Sequence, residues 1–306
     1  STDDKHVPTH CGFASKNPGF MHACGHDAHM SMGLAVCHWL MDNKDKLSGK
    51  VKILFQPAEE GVRGAAGMAA SGILDDCDYF LSSHVAMLAK SGELATNLYG
   101  FLCTTKYDVT FNGRASHAGV SPQEGRNALA AAANATVQML GISRHGGGMT
   151  RINIGQLVAG EGRNVIPSKA VMKLEVRGET MEINNYMSEQ VTNIVEGIAK
   201  GFSVTYDMRK MGEAVDLTAD QELIDILNES GREVGLKVLD KPLNFGGSED
   251  ATILARRVQA HGGKAAFFVW GSDRPSGHHS ALFDIQEKDM APAFDLWTHV
   301  LPKILK

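Results

Sequence analysis

The sequence has little that would tie it to an extended charged partner or to a membrane. Its 35 acids against 30 Lys and Arg leave a net charge of −5, and there is no polybasic block. A nucleic-acid or membrane-surface binder held by electrostatics is therefore disfavoured. No apolar run approaches the ~18 residues that a membrane span needs. Aromatics make up only 7% of 306 residues, and the five cysteines, Cys11, Cys24, Cys37, Cys77 and Cys103, are an odd, sparse set. Such a set does not make a disulfide framework, and a reducing cytoplasm is the expected setting. There are no internal repeats or low-complexity tracts. The first residue is Ser1, not Met, and no charged-then-apolar signal segment follows it. What is present is a globular composition, 43% hydrophobic and 21% charged, long enough for one to two domains. Thirteen His and 33 Gly stand out.

Hydrophobic patterning predicts an α/β class. Residues 1–28 lack periodicity and read as loop, with a helix from Met30 to Lys46. Lys50–Gln56 (KVKILFQ) reads as a buried strand stopped by Pro57, followed by a small-residue helix at Gly64–Gly72 and a strand at Asp78–Val85. From residue 104 the pattern alternates, at Thr105–Asn112, Arg151–Leu157 and Ala170–Arg177, as expected of antiparallel strands with one wet face. Helical stretches Arg126–Leu140 and Met181–Lys200 interleave, and Phe202–Arg209 closes the group as a strand. Beyond it, Thr218-Ala-Asp-Gln221 resembles a capping box opening a helix to Val234. Helix at Glu249–Val258, strand at Lys264–Gly271 and helix at Ile285–Lys306 complete the chain. The expected architecture is one α/β domain with a central mixed sheet, 1–103 plus 214–306, interrupted by an α+β domain, 104–213, of four antiparallel strands and two helices.

Four places carry chemistry. Met21-His-Ala-Cys-Gly-His-Asp-Ala-His29 packs thiol, imidazole and carboxylate donors into a few positions, with His22 just upstream of Cys24. Divalent transition metals prefer such donors. A His-rich surface loop and a Cys24 nucleophile with a His base remain open as alternatives. Pro57-Ala-Glu-Glu-Gly61 puts two carboxylates at a strand's C-terminal end, where open α/β sheets place their sites. One of the pair is suited to a metal and the other to a water. His84 ends the next strand, and Gly277-His-His-Ser280 lies between the last strand and last helix. One Cys, several His and a Glu with a second Glu to spare exceed a closed structural zinc site and fit a two-metal hydrolytic centre.

HACGHDAH, FQPAEEG, His84, GRASHAG, GRNVIP, GGSEDAT and HHSALFD occur in one order. That order resembles the aminoacylase and carboxypeptidase superfamily of dinuclear metallohydrolases, in its amidohydrolase branch of hippurate, auxin-conjugate and aminobenzoyl-glutamate hydrolases. The likeness covers essentially the whole chain. It implies Cys24, His26, Glu60, His84 and His279 as ligands of two divalent ions, zinc or manganese, with His279 preferred to His278 because the family's ligand directly precedes a Ser or Asn. It implies Glu59 as the general base and His117 as a lid histidine that reaches a partner subunit's site, hence a homodimer or a heteromer with a related subunit. Asn164 is implied as a substrate contact. Arg163 and Arg177 are candidates for a substrate carboxylate, with a solvated strand-face charge as the ordinary alternative. Asp27, His29 and Asp250 are expected to orient ligands. The implied substrate is a small N-acyl amino acid, p-aminobenzoyl-glutamate first, with other N-acyl amino acids (indole-acetyl-aspartate or hippurate type) and dipeptides as rivals. A cysteine hydrolase or a non-catalytic metal-binding module would be a different class of protein. Family members carry a segment before HACGHD with a first helix, sheet strands and a D-x-D-A-L stretch, so the chain is expected to lack the start of its catalytic domain.

Overall fold

The computed structural model describes residues 12–305. Cys11 lies outside them. In chain order the helices are α1 His26–Asn43, α2 Gly64–Ala70, α3 Ala128–Leu140, α4 Met181–Gly201, α5 Gln221–Glu233, α6 Ala251–Ala260 and α7 Met290–Ile304. The strands are β1 Tyr79–Val85, β2 Glu93–Ala95, β3 Leu98–Tyr99, β4 Cys103–Asn112, β5 Thr150–Ala159, β6 Lys169–Gly178, β7 Thr205–Ala214, β8 Lys237–Val238, β9 Leu243–Asn244 and β10 Lys264–Trp270.

The first sheet is mixed, in the order β1-β10-β2-β8, with β1 and β10 parallel from Tyr79 beside Lys264 to Val85 beside Trp270. Strand β10 is buried on both faces, as its KAAFFVW run requires. Ala266, Phe268 and Trp270 point into a core shared with α1, α5 and α7, and Ala265, Phe267 and Val269 into one shared with α6, Phe101 and Phe245. Because β1 and β10 run the same way, the residues following both emerge at one edge of the sheet. β3 and β9 form a separate two-stranded pair.

The second four-stranded sheet is antiparallel, in the order β5-β6-β4-β7. Ala170, Met172, Leu174 and Val176 of β6 are buried, and the residues between them are exposed or half-buried. α4 covers this face with Ile183, Met187, Val191, Val195 and Ile198, a stripe of successive i+4 and i+3 steps, and Thr180 caps its N-terminus. α3 contributes Ala128, Ala131, Ala132, Ala135 and Met139, small side chains that let the helix lie close to the strands.

Four expectations need correction. α1 begins at His26, not Met30, with His29 N–H donating to Gly25 O at 3.1 Å. Its first turn is polar, so apolar periodicity could not register it. Residues 50–56 form no ladder among the described residues. An apolar run becomes a strand only beside a partner; here Ile53 and Phe55 lie against Gly33 of α1, and Leu54 packs with the α2 and α6 core. Thr218 does not cap α5: the cap residue is Asp220, whose carboxylate is instead used by Ala265 N–H and the Gln259 amide, both at 2.8 Å. The last helix starts at Met290, after a 3₁₀ turn at Glu287–Asp289.

The two sheets meet at β7. A bulge at Met211 shifts the β4–β7 register, so that Lys106 faces Gly212 and Tyr107 faces Lys210. Gly212 thereby takes the face pressed onto the 59–62 turn: a Cβ there would run into Gly61 O and, at 2.8 Å, Val62 O. Glu213 N–H donates to Val62 O at 2.8 Å in the same seam. Gly212→Ala is expected to cost about 1–3 kcal/mol by overpacking and to lower turnover. Urea and thermal unfolding beside Met211→Ala check this, and equal effects of the two substitutions would disprove the seam's importance.

Candidate metal centre

Four segments converge at the C-terminal edge of β1 and β10. Cys24 immediately precedes α1 and His26 opens it. Glu59 and Glu60 lie in the 3₁₀ turn Glu59–Gly61, His84 near the end of β1, and His279 in the loop between β10 and α7. Their donor atoms form two triads, Cys24–His26–His84 and Cys24–Glu60–His279, each with all donors within 4.8 Å of one another. Cys24 belongs to both. His26, Glu59 and Glu60 make a third such group. Individual approaches are 3.5 Å from Cys24 Sγ to His84 Nε2, 3.1 Å from His279 Nε2 to Glu60 and 3.6 Å from His26 Nε2 to Glu59.

The backbone is shaped for this meeting. Gly25, between Cys24 and His26, has φ +88°, and a Cβ on it would strike Val85. His279 N–H donates to Ala23 O at 2.7 Å, tying the last loop to the first. Ala58, Val62, Ala86 and His279 all take left-handed φ between 50° and 62°. For a β-branched residue such as Val62 this is strained, and strain of that kind gathers at functional sites.

The electrostatics suit cations. His84 is fully buried, and burial pulls its pKa down to about 3, so the ring is neutral. Its Nδ1–H donates to Val85 O at 2.9 Å, which leaves Nε2 as a bare lone pair facing Cys24. Burial first, then Glu60 and Glu59, push the Cys24 thiol far above its ordinary range. A thiol held protonated this way is a poor nucleophile, which disfavours the cysteine-hydrolase reading. A bound cation reverses the balance and makes it a thiolate ligand. Burial, then Asp250 and Glu60, raise Glu59 to about 7, with Lys106 acting in the opposite direction. A soft thiolate, imidazoles and a carboxylate in two triads fit two divalent ions.

The comparisons with known proteins agree with this geometry. The model of peptidase family M20/M25/M40 matches residues 4–303. The chain belongs to this family. It is 54% identical over 302 residues to a p-aminobenzoyl-glutamate hydrolase homolog of Haemophilus influenzae, covering 98% of this chain and 71% of the relative. It is 43% identical over 296 residues to the indole-3-acetyl-aspartic acid hydrolase of Enterobacter agglomerans, covering 96% and 68%. The crystal structure of the aminobenzoyl-glutamate utilization protein from Klebsiella pneumoniae superposes with a TM-score of 0.81 at 38% identity, over 90% of this chain and 67% of that one.

Other family-implied residues of this M20 chain lie around or away from the cluster. His29 is packed edge-on to His84 at 4.6 Å, and its Nε2 accepts the Val85 N–H at 3.0 Å. That nitrogen is therefore taken, and His29 holds the end of β1. Asp250 is buried and accepts from the Gln56 amide at 2.5 Å and Ala65 N–H at 3.2 Å, pinning both flanks of the Glu pair. Asp27 is exposed on α1 and belongs to none of the donor groups. His117 and Asn164 lie together on exposed loops of the second sheet, with Ala118 N–H donating to Asn164 O at 2.9 Å and the His117 ring accepting from Gly119 and Val120. Arg163 is exposed there too. Arg177 is paired with Glu175 on the sheet at 2.9 Å.

Two further residues join the site, Glu249, which motif reading did not single out, and His278, which it set aside as a ligand. Glu249, buried beside Asp250, lies within 4.8 Å of Glu59, and burial followed by Glu59 raises its carboxyl well above normal. The Ser-Glu-Asp triplet was the available signal. His278 donates from Nε2 to Val85 O at 3.3 Å and stacks edge-on to His84, while Arg274 contacts its Nδ1 at 2.8 Å. It thus supports the His84 ring. Because Cys24 is common to both triads, Cys24→Ala is expected to empty both half-sites and His279→Ala only one. Elemental analysis after dialysis measures this, and wild-type metal content in Cys24→Ala would refute the shared-ligand geometry.

Proposed function

We propose that this chain hydrolyses the amide bond of small N-acyl amino acids, p-aminobenzoyl-glutamate foremost, at a two-cation centre bridged by Cys24. The observation that carries the reading is Glu59: a carboxylate next to both triads yet absent from each. A structural metal site has no use for such a group, and this is why a non-catalytic metal-binding module is the weaker reading.

In this scheme His26 and His84 would hold one cation and Glu60 and His279 the other, with Cys24 within reach of both. When bound, such ions lower the pKa of a water and polarise a carbonyl oxygen. Glu59 would take a proton from the attacking water, whose oxygen bonds to the acyl carbon, and pass it to the amine nitrogen as the C–N bond breaks. Its burial keeps it a stronger base than an exposed carboxylate, and cations beside it temper the effect of its carboxylate neighbours. Asp250 keeps the turn in place from behind. A thiolate-bridged pair favours zinc by softness, with manganese as the alternative.

The unit 104–213 serves as a lid and dimerisation domain on the catalytic domain 1–103 plus 214–306. In that arrangement His117 and Asn164 reach the cluster of a second copy, or of a related subunit, rather than their own. Exposure of both loops supports this. The four free cysteines among the described residues support a reducing, cytoplasmic setting, and no described helix is long and apolar enough to cross a membrane. Identity to the indole-3-acetyl-aspartic acid hydrolase supports that substrate as the second reading.

A panel of N-acyl-glutamates and N-acyl-aspartates, run with metal analysis, tests the proposal. Glu59→Ala is expected to keep both metals and lose most of kcat, roughly 100-fold or more for a missing general base. Glu60→Ala is expected to lose metal. Normal turnover by Glu59→Ala would sink the mechanism.

A further inference from the structure

Lys106 lies on β4, a strand of the second sheet, and yet acts on the cluster of the first. Thr105, Tyr107, Val109 and Phe111 face the α3–α4 core, so Lys106 stands on the opposite, open face. Its cross-strand neighbours there are Glu175 on β6 and Gly212 on β7. The Met211 bulge puts Gly212, with no side chain, at that place, and the Gly61–Val62 backbone occupies the room it leaves. Lys106 consequently stands beside the turn that carries Glu59 and Glu60.

Lys106 is half-buried and has no ion-pair partner among the described residues. Its nearest acidic neighbour along the sheet, Glu175, is engaged by the Arg177 guanidinium through Nε and Nη2, both at 2.9 Å. Further along the face, Arg209 is matched by Asp207 at 2.8 Å. Lys106 is thus a cation with no ion pair among the described residues, placed beside the turn that carries two carboxylates and close enough to act on Glu59. A half-buried charge in that position gains most from an anion that arrives with the substrate.

We infer that Lys106 is a specificity-determining residue, its ammonium receiving the free carboxylate of the amino-acid half of the substrate while the amide lies at Glu59. The inference rests on the N-acyl amino acid reading and adds which end of the substrate the second sheet recognises. It also separates Lys106 from Arg177, whose fork is already occupied by Glu175.

The test uses full-length, metal-loaded enzyme with p-aminobenzoyl-glutamate and its α-amide and γ-amide analogues. Lys106→Met is expected to raise KM for the diacid about 10- to 100-fold, the range of a lost charge-assisted hydrogen bond, with a smaller change in kcat and unchanged metal content. For the analogue lacking the contacted carboxylate, wild type and Lys106→Met should converge, and Lys106→Arg should restore most of the diacid affinity. An unchanged KM, or an equal loss on all three compounds that Arg does not rescue, overturns the assignment while leaving the hydrolase reading intact. Failure of the wild type to hydrolyse any of the three overturns both.

Discussion

The peptide group of Val85 is the constraint on which the centre depends. Its N–H is held by His29, its carbonyl by the Nδ1–H of His84 and the Nε2–H of His278, and its side chain fills the space that Gly25 leaves. One fully buried residue at the end of β1 thus sets the position of three imidazoles and the entry of α1. Each such hydrogen bond contributes only about 1 kcal/mol net, but a buried donor or acceptor left without its partner costs about 1–3 kcal/mol. The arrangement is therefore held less by the strength of any one bond than by the penalty for breaking any of them. Its chemical product is the tautomer of His84: with Nδ1 committed to Val85, the lone pair of Nε2 must face Cys24.

Around that hub the protein gathers charges that oppose one another. Glu59, Glu249 and Asp250 form one acidic group, and Glu60 joins Glu59 in another beside a buried thiol. Two like charges about 4 Å apart repel by about 4 kcal/mol at the effective dielectric of a protein site. Left-handed backbone at Ala58, Val62, Ala86 and His279 adds to this cost, and bound cations would offset both by turning the same carboxylates and thiol from mutual opponents into ligands. Metal binding and the stability of this edge are for that reason one equilibrium rather than two.

How far the sequence foretold this depends on whether the signal was periodic. β6 alternates and α4 repeats its apolar residues every three to four positions, so both were legible to within a residue or two. The polar first turn of α1 and the run 50–56 were misread, the first because ligands replace apolar residues there, the second because a strand is defined by its neighbour and not by its own composition. Within the site, the motif residues Cys24, His26, Glu59, Glu60, His84 and His279 lie together as their positions at strand ends and adjoining loops suggested. Asp27 does not join them, since a helix rotates adjacent residues by about 100° and His26 already takes the inward direction. Glu249 was signalled only by its place next to Asp250 and needs its burial to be recognised, and Lys106 needs the register of β4 against β7.

That register is where the two sheets become one device. In an unbulged ladder Met211, and not Gly212, would pair with Lys106 on the open face of β7. A side chain there would clash with the Gly61 and Val62 carbonyls and strain the Glu213–Val62 hydrogen bond in the same seam. The bulge thus does for the second sheet what Gly25 does for α1: it removes a side chain where two backbones must touch. The same short turn then carries a candidate ligand, the candidate base and the contact with the sheet that bears Lys106. A displacement of the second sheet must either break that seam or move Glu59 and Glu60 with it, so the position of the recognising cation is coupled to the metal centre by backbone and not by flexible side chains.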